Sequence, residues 1–156
     1  MTRIIWLVVI DLSVVIAISV AIGAWAPRWP AAWLGSDPAL LRRLPWETPE
    51  YFRRLRVSRW ATRLPELGDI FGGQRKDALP GATTQALNAY LVEVRRAEWV
   101  HWGSILGSLI LFAFNPWWLA AAFVLVVTAG NTPFLLILRN NRFRIVRILD
   151  RESRNS

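Results

Sequence analysis

The sequence predicts an all-α integral membrane protein with three transmembrane helices plus cytoplasmic-face amphipathic or interfacial helices. Three observations carry that prediction. Two apolar runs, 4–26 and 99–138, are long enough to matter to a bilayer. The second run is too long for one span and has Asn115-Pro116, a turn signal, in its middle. The basic residues gather in the two segments, 27–97 and 139–156, that three crossings place on the same side. At 156 residues the chain is read as a single membrane domain, 1–156.

The first run, IIWLVVIDLSVVIAISVAIGAWA at 4–26, is the first transmembrane helix. A helix of this length crosses a hydrocarbon core of roughly 30 Å at 1.5 Å per residue. The Ala24-Trp25-Ala26 sequence resembles a signal-peptide cleavage motif. The run is long for a signal, however, only Arg3 precedes it, and Pro27 would follow the cut, so an uncleaved helix is expected. Asp11 interrupts the run, at a cost of roughly 3 kcal/mol if left at mid-bilayer, and is expected to face protein or lie near the outer interface.

Residues 27–97 form a cytoplasmic or interfacial segment. Seven prolines, from Pro27 to Pro80, divide it, which argues against long helices there. PEYFRRLRVSRWATRL at 49–64 interleaves apolar and aromatic residues with five arginines and reads as a basic amphipathic helix at the membrane surface. TTQALNAYLVEVRRAEW at 83–99 has a threonine cap and helical apolar spacing, and is expected to feed into the next span. A helical hairpin over 98–138 follows, with its turn at 115–117. Gly103 and Gly107 have the small-xxx-small spacing that lets helices approach closely, within the monomer or in a homo-oligomer. Pro133 is expected to disturb the second arm near Asn131. The tail, 139–156, carries six arginines and is expected in the cytoplasm of a bacterial-type cell, with the protein multi-pass in the cell membrane. Trp25, Trp29, Trp33, Trp99 and Trp102 fall at one interface, and Trp6, Trp117 and Trp118 at the other, as in an aromatic belt.

Composition closes several routes. There is no cysteine, so disulfides, thiolate metal sites and a cysteine nucleophile are excluded. A single histidine excludes a multi-histidine metal site, and no metal is expected. Net charge is +8, with arginine supplying all basic residues but Lys76. In a membrane chain that excess first reflects topology. No nucleic-acid-binding signature accompanies it.

The polar residues that topology leaves over collect at the inner interface. His101 can accept a hydroxyl proton near neutral pH, and Glu98, three residues earlier on the same helical face, could orient it. Arg95 and Arg96 either set topology or bind a phosphorylated donor, to which a planar guanidinium is suited. LPELGDIFGGQRK at 64–76 brings Gly72, Gly73 and Lys76 into a glycine-rich loop that lacks the spacing of a P-loop. GNTPFLLILRNNRFR at 130–144 offers Asn131 at membrane depth, then Arg139 and Arg142 at the inner surface. The ordinary readings of these residues are a polar interfacial histidine, anchoring arginines and a solvent loop.

Four motifs in order resemble the glycosyl-4,4'-diaponeurosporenoate acyltransferase family, over about residues 59–144. They are RWxxxLPxxGxxFGGxxK at 59–76, RRAEWxHW at 95–102, FNPxW at 114–118, and NxP followed by RxNRxR at 131–144. Phe134, Leu138 and Asn140 stand where the family pattern has cysteine, glutamine and tyrosine, departures that bear on the acceptor more than on the reaction. The resemblance implies a small integral membrane enzyme. Such an enzyme moves a fatty acyl group from a thioester, with acyl-CoA as co-substrate, to a hydroxyl of a glycosylated lipid or carotenoid acceptor. No permanently bound cofactor is implied. In that frame His101 is the general base and Glu98 its partner. Asn131 donates near the reacting carbonyl, and Arg95, Arg96, Arg139, Arg142 and Lys76 hold donor phosphates or the oxyanion. No serine or cysteine elbow is present, which favours direct transfer. The HxxxxD pattern of glycerolipid acyltransferases is absent, since Leu106 stands five residues after His101. The competing readings are a non-catalytic membrane subunit that binds lipid or assists assembly, and another lipid-modifying enzyme with a phosphate-bearing cofactor.

Overall fold

The computed structural model describes residues 2–61 and 83–155, and among them every regular element is helical. Helix α1 covers Thr2–Trp25 and continues into a 3-10 turn at Ala26–Arg28. A second 3-10 turn, Ala31–Leu34, opens an irregular stretch leading to two short helices, α2 (Pro49–Arg54) and α3 (Val57–Trp60). Helix α4 spans Thr84–Ser108, a 3-10 turn at Leu109–Ala113 extends it, and α5 runs from Trp117 to Asn155.

Local chemistry sets these boundaries. The Thr83 hydroxyl accepts from the Ala86 amide at 3.3 Å and starts α4 where its cap was expected. Thr48 does the same for α2, with Pro49 in the first helical position, where its missing N–H costs nothing. Asn115-Pro116 reverses the chain, and Pro116 supplies the carbonyl that starts α5. The amphipathic helix expected over 49–64 is instead broken at Arg56, whose backbone is left-handed (φ 52°, ψ 35°). That conformation costs a non-glycine residue about 1–2 kcal/mol. It turns the chain so that Phe52 and Val57 are both buried against the protein rather than laid on a surface.

The chain forms two storeys. In the apolar storey α1 runs antiparallel to the second half of α4. Asp11 pairs with Asn115 near one end, and Ile18 and Ile22 lie against Gly107 and Gly103 further along. A Cβ on Gly107 would sit 2.7 Å from the Ile18 Cγ2, closer than such atoms approach, so the small-residue spacing serves packing within the monomer. Ile105, Val127 and Leu135 join α4 to α5, with Val15 and Trp102 packed on them. The outer faces are apolar and uncovered: Ile5, Trp6, Leu125 and Val126 are all more than half exposed. Two helices are long and apolar enough to cross a membrane, Ile4–Arg28 and Trp117–Arg154.

Two such helices, not three, corrects the three-span expectation. In α4 the charges of Glu93, Arg95, Arg96 and Glu98 extend past the middle of the helix. From Trp99 to Ser108 only roughly 15 Å of helix remains at 1.5 Å per residue, half of what a span needs. The apolar end of α4 is carried as an arm along α1 and α5. A second correction concerns Pro133: α5 is continuous through it. Side chains around the proline bond back onto carbonyls one turn earlier: Thr128 to Val124 (2.7 Å), Asn131 to Val127 (2.8 Å) and Thr132 to Thr128 (2.8 Å). Val127 and Leu135, on either side of the proline, both pack on Ile105 and hold α5 together across it.

In the polar storey the first half of α4 packs on the second half of α5 through Leu87, Tyr90, Leu91, Val94, Leu138 and Ile145. Residues 29–61 wrap this pair and bury Leu34, Leu41, Phe52 and Val57. The functional candidates lie where the storeys meet.

Candidate active site

His101 on α4 and Asn131 on α5 face each other at the junction. Their Nδ1 and Oδ1 atoms are 2.7 Å apart. The Asn131 Nδ2 donates to the Val127 carbonyl at 2.8 Å, which fixes the amide with its oxygen toward the imidazole. That oxygen can only accept, so the bond requires a proton on Nδ1 and leaves the imidazole lone pair on Nε2. The Phe134 ring stacks on the imidazole, 5.1 Å between centroids and 7° between planes, and holds the ring's orientation. Phe134, one of the departures from the family pattern, is thus the wall of the histidine site.

Glu98 does not supply the Nδ1 partner that its i,i+3 spacing suggested. It is fully buried, and both its oxygens face arginines: Arg142 Nε donates to Oε1 at 2.6 Å, and Arg139 Nη1 lies 3.6 Å from Oε2. These belong to a closed cluster. Arg142 also donates to Asp37 and to the Leu41 carbonyl. Arg139 makes a two-point contact with Glu47 and donates to the Arg42 carbonyl at 2.8 Å. Arg95 meets Asp37 at 2.6 Å and the carbonyls of Leu34 and Gly35 at 3.1 and 3.2 Å. The charges balance, with three guanidiniums against Asp37, Glu47 and Glu98. The cluster ties the 29–48 wrap to both long helices.

The structure therefore separates the residues that the sequence grouped. His101 and Asn131 come together directly. Arg95, Arg139 and Arg142 are committed to carboxylates and backbone carbonyls, and Glu98 is committed to them. Arg96 contacts Glu93 and the Trp29 carbonyl (3.3 Å) and stays apart from the cluster. Lys76, Gly72 and Gly73 lie outside the described residues. Sequence reading missed Asp37 and Glu47. The available signal was scarcity: from 27 to 61 an arginine-rich stretch holds only Asp37, Glu47 and Glu50 as acids. Buried arginines elsewhere must find their counter-charges among so few.

Asp11 resolves as a packing contact. It is wholly buried and accepts from Asn115 Nδ2 at 2.8 Å, closing the far end of the α1–α4 pair.

An all-helical chain with two helices long and apolar enough to cross a membrane, and a hydrogen-bonded histidine–asparagine pair beside a charge clamp, defines the class: an all-α protein of membrane-helix character with a polar site where its apolar and polar storeys meet. The particular family follows from comparison. The family model of glycosyl-4,4'-diaponeurosporenoate acyltransferases matches residues 30–151, which takes in the wrap from Pro30 onward, all of α4, α5 but for its last residues, and both halves of the site. The chain belongs to that acyltransferase family of carotenoid biosynthesis. It matches none of the curated proteins and none of the solved structures.

Proposed function

We propose that the protein transfers a fatty acyl group from a thioester donor, acyl-CoA in the simplest case, to a sugar hydroxyl of a glycosylated carotenoid or related glycolipid. The observation that carries this reading is the 2.7 Å His101–Asn131 pair at the boundary between the apolar and polar storeys. A reaction there can draw its acyl chain and acceptor from lipid and its donor from water. Asn131 holds the proton on Nδ1, so Nε2 takes the proton of the attacking hydroxyl. The hydroxyl oxygen bonds to the thioester carbonyl carbon, the C–S bond breaks, and the departing thiolate receives the proton from Nε2. No acyl-enzyme is needed, in keeping with the absence of a cysteine or a serine elbow. The arginine-rich wrap and tail, with the charged clamp, support a cytoplasmic position for this face, by the preference of arginine for that side.

The test is acyl transfer from radiolabelled acyl-CoA in membranes that contain the glycosylated carotenoid, for the wild type and His101→Ala. The expected result is loss of turnover in the variant with unchanged protein abundance. Undiminished turnover would remove His101 from the mechanism. No turnover by the wild type with any glycosylated pool would favour the non-catalytic subunit.

A further inference from the structure

On the side of α5 turned away from the histidine, a cavity of about 700 Å³ opens between α2, α3 and the polar half of α5. At 100° per residue, Arg144 and Arg147 project from the helix roughly opposite Asn131 and Phe143 about a third of a turn from it, so this cavity is a separate place. Its wall is built of arginine: Arg53, Arg56 and Arg59 from the α2–α3 corner, Arg144 and Arg147 from α5, and Arg43 from the wrap. One carboxylate, Glu47, lines it, and that group is held by Arg139. Among the described residues none gives the side chains of Arg53, Arg56, Arg144 or Arg147 a hydrogen-bond or ion-pair partner. In this they differ from the three clamp arginines.

Several features mark the wall as assembled rather than accidental. The corner that turns Arg53 and Arg56 toward α5 depends on the left-handed backbone of Arg56, the sole non-glycine positive φ among the described residues. Backbone held in such a conformation is concentrated at binding sites. The floor is apolar and fixed. Phe143 lies 5.9 Å from Phe52, and Arg43 and Arg142 stack over the Phe143 ring at 5.5 and 4.7 Å. The depth is also informative. Phe143 stands five residues past Leu138, the end of the apolar part of α5, roughly 8 Å further along the helix. That is the depth of a lipid headgroup layer.

We propose that this cavity binds phosphate esters, with Arg53, Arg56, Arg144 and Arg147 as the ligating residues. Guanidinium is the side chain suited to such oxygens, because its fork meets two of them at once. The site itself stands apart from the acyl-transfer reading, and only the assignment of a nucleotide to the donor rests on that reading. Two sources supply the chemistry: the headgroup phosphates of an anionic lipid, reached from the membrane, and the phosphates of a soluble nucleotide-bearing donor, reached from the water.

The test uses the full chain purified in detergent, with two probes. Binding of adenosine 3',5'-bisphosphate is followed by calorimetry, and retention of cardiolipin against phosphatidylcholine by native mass spectrometry. Three variants are compared with wild type: Arg144→Ala/Arg147→Ala, Arg53→Gln, and Arg151→Ala/Arg154→Ala. The last removes the same charge from exposed positions further along α5, outside the cavity. Saturable binding of at least one probe is expected, weakened tenfold or more in the first double variant and measurably in Arg53→Gln, but less than twofold in the Arg151/Arg154 control. Nucleotide binding assigns the source to the donor, and cardiolipin retention alone assigns it to the membrane. The proposal fails if neither probe binds the wild type, or if the control loses as much as the cavity variants. Arg53→Gln keeps the test open should the double variant not fold, since Arg53 is exposed and lies outside the clamp.

Discussion

At the scale of single residues, the pairing at His101 makes a specific kinetic demand. In the proposed reaction the base is neutral, so kcat/KM should fall toward acid pH as the imidazole takes up one proton. His101→Ala should cost about 10²–10⁴-fold in kcat and lose that acid limb. An acid limb that persists in the variant would assign it to another group. In the proposed reaction Asn131 is a positioning residue acting through the imidazole, so its effect should fall on kcat and not on KM. Asn131→Asp, which keeps an acceptor for the Nδ1 proton, should retain more activity than Asn131→Leu. Equal losses would mean that Asn131 serves only the helix carbonyl of Val127. In the clamp, Arg142→Leu should lower stability by about 3–5 kcal/mol, because it leaves Glu98 buried without its closest counter-charge. Thermal unfolding in detergent measures this. Arg142→Lys should rescue little, since one ammonium cannot span Glu98, Asp37 and the Leu41 carbonyl. A lysine variant as stable as wild type would reduce the clamp to simple charge balance.

At the scale of elements, Gly107 and Gly130 offer a controlled comparison on two apolar helices. Gly107→Val should destabilise by about 1–3 kcal/mol, because its Cβ alone would press on Ile18. A Cβ at Gly130 meets nothing within 4 Å, so Gly130→Ala should leave the unfolding temperature unchanged or raise it. Equal behaviour of the two would refute the close α1–α4 contact. This scale is also where the sequence was most legible. The first apolar run, the Thr83 cap and the Asn115-Pro116 turn are signals contained within a few residues, and each sits where it was read. Pro133 was misread because the rule for proline concerns the backbone alone. Here tertiary packing, Val127 and Leu135 on Ile105, carries α5 across the missing bond. The break at Arg56 had no signal at all, since arginine has no preference for a left-handed backbone. Asp37 and Glu47 were invisible as clamp members because their partners lie 105 and 92 positions away.

At the scale of the whole molecule, the clamp fixes topology independently of the number of crossings. Asp37 bonds both Arg95 and Arg142, so the wrap and the polar half of α5 must lie on one side of the membrane. The chain has no cysteine, which makes single introduced thiols unambiguous. Ser36→Cys and Ser153→Cys, both at exposed positions, should react with a membrane-impermeant maleimide from the same face. Labelling from opposite faces would break the arrangement of the two storeys. The histidine–asparagine pair was only half legible at this scale. Each residue stood out alone, but 30 positions separate them, and only the return of the hairpin brings them within a hydrogen bond.

The long separations within the clamp also bear on how the protein is made. The carboxylates at 37 and 47 are synthesised about a hundred residues before the arginines at 139 and 142 that neutralise them, and two apolar arms come between. On the ribosome Glu47 therefore has no clamp partner, and Asp37 has only Arg95, until the end of α5 has left the exit tunnel. Assembly of the polar storey is obliged to be the last event of biogenesis. A translation intermediate arrested before Arg139 should show the 29–61 segment open to protease, and the completed chain should protect it. A chain whose α5 has not returned along α4 cannot close the charge cluster, since Arg139 and Arg142 reach Glu47, Asp37 and Glu98 only from that position.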